Sequence, residues 1–116
     1  MKRLAMAVTL ALSAACSVRP AAAAAANDYP TDVLADYVFG CMASNGQTQE
    51  VLRRCSCSID VISSIIPYDK YVEASTILSM QQVPGENTAI FRDVPWTQES
   101  VANLRRAQVE AELRCF

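Results

Sequence analysis

The chain has 116 residues, with 10 lysines and arginines against 12 aspartates and glutamates, and no histidine. Without histidine it lacks the usual general base and the usual transition-metal ligand. Its acidic balance argues against nucleic acid as a partner.

The first 26 residues read as a secretory signal peptide. Met1-Lys2-Arg3 is basic, Leu4 to Ala15 is apolar, and Ala21 to Ala26 supply an A-x-A type cleavage site. The stretch is too short and wrongly flanked for a transmembrane helix. A lipoprotein with an acylated Cys16 is the rival reading, although Ser13 stands where such signals usually carry leucine. Removing residues 1–26 leaves 90 residues, with seven basic side chains against twelve acidic ones, a net charge of about −5. That is one small exported domain, periplasmic in a bacterium, near the size at which a single core is marginally stable.

The mature part predicts an all-α fold of about four helices. In the first, Thr31 is a candidate cap and Asp32 suits the positive end of the helix dipole. Leu34, Tyr37, Val38, Cys41 and Met42 share one face, and Asn45-Gly46 ends the helix. Gly40 weakens that helix by about 1 kcal/mol relative to alanine, which suggests a close helix contact there. A second helix spans 49–66 behind Thr48, with Val51, Leu52, Cys55, Ile59, Ile62 and Ile66 on its apolar face. Pro67 opens a third helix carrying Tyr68, Tyr71, Val72, Ser75 and Leu78, which Val83-Pro84-Gly85 ends. Residues 84–96 read as a loop anchored by Phe91 and Trp96. Thr97 then caps a fourth helix, with Trp96 and Val101 at staple spacing and a stripe of Val101, Leu104, Ala111 and Cys115. No segment alternates convincingly at period two; Ile65-Ile66 and Ala89-Ile90-Phe91 are the only brief strand candidates. The tyrosines read as core or rim, with hydroxyls at the surface.

Four mature cysteines, Cys41, Cys55, Cys57 and Cys115, predict two disulfides in an exported domain. On a helix Cys55 and Cys57 point about 200° apart, so each reaches a different element. Folding the first two helices antiparallel favours Cys41–Cys55 with Cys57–Cys115; the exchange, Cys41–Cys57 with Cys55–Cys115, stays open. A redox-active Cys-Ser-Cys pair is the functional alternative, with Arg53 and Arg54 nearby to lower a thiol pKa. The spacing does not suit a thiolate zinc site.

The carboxylates are the other candidate chemistry. Asp32 and Asp36 stand one turn apart on the polar face of the first helix, and Asp60 projects from the second at about the height of Asp32. Asp69 and Glu73 repeat the spacing at the start of the third. Such pairs repel mildly unless a hard cation with oxygen ligands compensates them. Helix-dipole placement and plain solvation explain the same residues without a metal, and no EF-hand loop is present. Nor is there a Ser-His pair, a glycine-rich phosphate loop or a metalloprotease helix, so no enzyme is expected.

Tyr29-Pro30-Thr31, Ala35-Asp36-Tyr37-Val38, Gly40-Cys41-Met42, Cys55-Ser56-Cys57-Ser58-Ile59-Asp60 and the closing Arg105-Arg106-Ala107-Gln108 and Arg114-Cys115-Phe116 together resemble a group of small exported bacterial proteins. These are the four-cysteine, landiscernin-like proteins of methylotroph clusters for lanthanide handling and quinoprotein alcohol dehydrogenases. The resemblance spans nearly the whole mature chain and implies a periplasmic accessory protein. It also implies a surface site of few oxygen ligands, shareable between two protomers around one lanthanide ion, that ion being handed to or shared with a partner protein. It transfers no ligands; Asp32, Asp36, Asp60, Asp69 and Glu73 are candidates from their own spacing. Two other functions fit the residues. One is a metal-free protein-binding module, such as an acid-stress chaperone or an immunity-type inhibitor. The other is a thiol redox protein.

Overall fold

The computed structural model describes residues 27–116; the stretch read as a signal peptide, with Cys16, lies outside the described residues. The order of elements is α1 (Thr31–Asn45), α2 (Gln49–Ile65), α3 (Tyr68–Gln82), a 3-10 turn (Glu86–Thr88), a one-turn α4 (Ile90–Asp93) and α5 (Pro95–Cys115). The described residues form a small helical bundle with no strand, stapled by Cys41–Cys55 and Cys57–Cys115. The favoured pairing of the cysteines is the one formed.

α2 is the central element, packed against α1 on one side and α5 on the other. Its sequence explains this. Thr48 accepts a hydrogen bond from the Val51 N–H at 3.2 Å, a regular N-cap, and Cys55, Ser58, Ile59 and Ile62 fall on one buried face. α5 answers with Leu104, Ala107 and Ala111, all buried. The small side chains at 107 and 111 let the helix axes approach, and Ala74 does the same where α3 meets α5.

α1 is different: none of its residues is fully buried, and Leu34, Tyr37, Val38, Cys41 and Met42 are half-buried. It ends at Gly46, whose φ of 113° suits only glycine comfortably and whose N–H reaches the Met42 carbonyl at 2.9 Å. The turn into α2 is thus set by backbone geometry.

The core is closed from an unexpected direction, by Tyr29 in the stretch before α1. Its side chain is buried, its ring lies 5.4 Å from Tyr68 and 5.1 Å from Tyr71, and its hydroxyl donates to the Ile66 carbonyl at 2.9 Å. The neighbouring Asp28 carboxylate accepts the Tyr68 N–H at 2.8 Å, satisfying one orphan donor of α3. The tyrosine hydroxyls are therefore structural rather than surface groups at Tyr29, and at Tyr37, whose hydroxyl bonds the buried Ser58 at 2.9 Å. Burial pushes the Tyr29 phenol far above its ordinary value of 10.0, with Tyr71 and Asp28 adding to the shift. Burial likewise raises Tyr71.

Several local expectations are corrected. Thr31 lies inside α1 behind Pro30, which makes no side-chain cap. Pro67 precedes α3 instead of starting it, although its carbonyl accepts from Lys70 and Tyr71 at 3.1 and 3.0 Å. α3 buries Ala74 and Ile77, while Val72 is exposed, so its inward face is rotated from the one expected. The 84–96 loop contains the 3-10 turn and α4. α5 starts at Pro95, which suits a first helical turn, so Thr97 is no cap. It is buried and donates back to the Val94 carbonyl at 2.7 Å. Trp96 is exposed instead of serving as an anchor or staple. Nothing approaches within 4 Å of a Cβ at Gly40, so no close helix contact explains that glycine.

Candidate functional site

A groove of about 730 Å³ lies where the α2–α3 corner faces α5. Pro67 breaks the helix there, because proline cannot continue it and forces the preceding Ile66 into an extended conformation. Ile65, the last residue of α2, faces outward, while Ile66 continues the buried face of Ile59 and Ile62. Buried Ile66 and Ala107 line the groove, and at its edges stand Ile65 and Trp96, 46% and 55% exposed. Two apolar side chains of that size left in water beside a concavity are the usual mark of a contact site.

The polar lining is mixed. Lys70 and Glu73 come from α3, and Glu99, Ser100, Asn103, Arg106 and Glu110 from α5. Lys70 Nζ lies 2.9 Å from Glu73 Oε2, and this pair lifts the Lys70 amine above its ordinary range. The hydrogen bond from Lys70 is the main cause that holds the Glu73 carboxyl below its own ordinary range, with the nearby Ser100 adding to it. Glu73 is thus engaged within the protein. Glu110 is paired with Arg114 at 2.7 Å. Glu99 takes part in no ion pair among the described residues, so it is the negative charge a visitor to the groove meets unneutralised.

The five carboxylates singled out from the sequence are all exposed or half-exposed, and they are dispersed. Asp60 borders a shallow apolar depression lined by Thr31, Ala35 and Val38 on one side of α1. Asp36 borders another, with Tyr37 and Asn45, on the other side. Asp32 lies in the first turn of α1 and Asp69 in the first turn of α3, where each meets the positive end of a helix dipole. Among the described residues no three of the His, Cys, Asp or Glu side chains group where one metal ion would be held. A hard cation at any of them would need further oxygens from backbone carbonyls, amide side chains, water or another molecule.

The four cysteines among the described residues are all oxidised, Cys55 fully buried and the other three half-buried. The groove itself was not visible in the residue pattern. Its signal is the juxtaposition Ile65-Ile66-Pro67, in which neighbouring isoleucines at a helix end face opposite ways beside a proline break. No family model, curated protein or solved structure matches the chain.

Proposed function

We propose that this protein is a non-enzymatic binding module of the bacterial periplasm, and that the groove between the α2–α3 corner and α5 takes a segment of another protein. The observation that carries this reading is the pair Ile65 and Trp96, both exposed and both lining one concavity. The occupant's chemistry follows from the lining. An apolar side chain seats between Ile65 and Trp96, and a neighbouring lysine or arginine reaches Glu99. The negative charge of the mature chain favours a basic partner over long range.

Trp96 is the single tryptophan of the chain, so the site carries its own reporter. A photo-cross-linker at Asn103, introduced into the exported protein in its cell, should give one dominant protein adduct. Trp96→Ala and Glu99→Lys should each abolish that adduct while circular dichroism stays unchanged. The Trp96 emission should also shift to shorter wavelength when the isolated partner is added. Absence of an adduct, or an adduct insensitive to both substitutions, overturns the reading. Lanthanide handling, which the sequence resemblance implies, is the second reading. It requires a ligand set completed by further oxygens, and lanthanum titration with simultaneous mass measurement tests it.

A further inference from the structure

The outer face of α5 carries a short apolar stripe that nothing among the described residues covers. Val109 and Leu113 are 54% and 79% exposed and stand four residues apart, the spacing of one helical face. Ala102 and Arg106, both exposed, continue the same line towards the start of the helix. The buried residues Leu104, Ala107 and Ala111 lie on the opposite face, so the stripe has no part in holding the fold.

One flank of the stripe is self-complementary. Arg105 and Glu112 border it on the same side, seven residues and two turns apart, both exposed. Among the described residues neither enters an ion pair. Seven residues is the repeat of a packed helix seam, and opposite charges at that interval are satisfied by a second identical helix running the other way. With a two-fold axis midway between them, each Arg105 meets the partner subunit's Glu112, and the arrangement closes. A parallel pairing would instead set Arg106 against its own copy.

We propose that the exposed face of α5 is a homodimer interface, with α5 packed antiparallel on α5 of a second copy through Val109 and Leu113 and fixed in register by reciprocal Arg105–Glu112 pairs. The proposal is independent of the groove, because the stripe and the groove lie on adjoining faces of α5 and share only Arg106 at their border. One helix face buries less than the area of a standard stable interface, so the dimer is weak and concentration-dependent.

Sedimentation equilibrium of the mature protein, oxidised and without added metal, should show a reversible monomer–dimer equilibrium that weakens with salt. Leu113→Glu should leave it monomeric with an unchanged helical spectrum. Arg105→Glu alone and Glu112→Arg alone should each weaken the dimer by roughly five- to tenfold, from two exposed charge contacts made repulsive. The double exchange Arg105→Glu with Glu112→Arg should restore it. A protein that stays monomeric at millimolar concentration overturns the proposal and leaves the stripe to a different partner. So does a dimer indifferent to Leu113→Glu, or one that the double exchange fails to rescue.

Discussion

The two ends of the bundle are held by different physics. At one end the last turns of α1 and of α5 meet the middle of α2, and two disulfides join them. At the other the stretch before α1 meets the α2–α3 corner, and the joint is Tyr29 packed on Tyr68 and Tyr71 over Ile62 and Ile66. A domain of 90 residues cannot pack both ends equally well. Covalent links stand in where α1 brings no fully buried side chain, and the aromatic joint suffices where a true core exists. Stability at the first end therefore depends on the oxidising compartment, whereas at the second it depends on pH and on shape.

The sharpest way to break this comparison is to remove the staples. Cys57–Cys115 has a sequence separation of 58 and Cys41–Cys55 one of 14. Chain entropy assigns them roughly 4 and 3 kcal/mol. Replacing all four cysteines with alanine should leave a chain unfolded at room temperature. Replacing Cys57 and Cys115 alone should cost more than replacing Cys41 and Cys55 alone, as read from urea midpoints. At the opposite end, Ile62→Ala should cost about 3 kcal/mol, because Ile62 is fully buried among helices that cannot collapse into the gap. Tyr29→Phe should cost about 1–2 kcal/mol, since it strands the Ile66 carbonyl and keeps the ring.

The pH dependence separates the ends further. The folded-state phenols of Tyr29 and Tyr71 are raised above their ordinary value of 10.0. Their contribution is complete below that value and is lost as pH climbs through the folded range, so alkaline unfolding should coincide with phenolate absorbance. In Tyr29→Phe the two should begin to separate. Glu73 runs the other way. Its folded pKa is depressed below 4.5, so its contribution is present above that value and is lost as pH falls through the folded pKa. Glu73→Gln should flatten the acid limb of the melting curve slightly, the smallest of the structural effects. Lanthanum or calcium at tens of micromolar should leave the melting temperature of the monomer unchanged, since the carboxylates are dispersed. A rise would assign binding to a site built from fewer ligands or from two copies.

The stapled end was legible in the sequence and the aromatic end was not. Cys55 and Cys57 are forced apart by helix geometry, and a short Asn-Gly turn fixes α1 against α2, so the favoured pairing followed from local rules. The amphipathic face of α2 and its Thr48 cap followed in the same way. Tyr29 escaped because it precedes the first helix and has no periodicity to place it; its partners lie 37 and more residues away. The α3 face was misread for a related reason. Tyr71 and Leu78 pack inward, but Val72, next to Tyr71 in sequence, is turned away from that face. Thr97 resembled a cap because Pro95 already satisfies the start of a helix, a choice that only the position of Val94 decides. The groove depends on how α3 crosses α5, which no residue spacing encodes. The carboxylates were legible as pairs one turn apart but not as a site, because dispersal on different helices is a property of the whole bundle.

The order of the disulfides along the chain has a consequence for how the protein is made. The two covalent rings do not overlap: one closes at Cys55, the other opens at Cys57, and Ser56 alone lies between them. A chain crossing a membrane from its N-terminus delivers Cys41, Cys55 and Cys57 long before Cys115. The small ring therefore closes first, with Cys57 as the one competitor for Cys41 during that interval. The large ring waits until α5 has emerged, so its closure records the arrival of the last helix described.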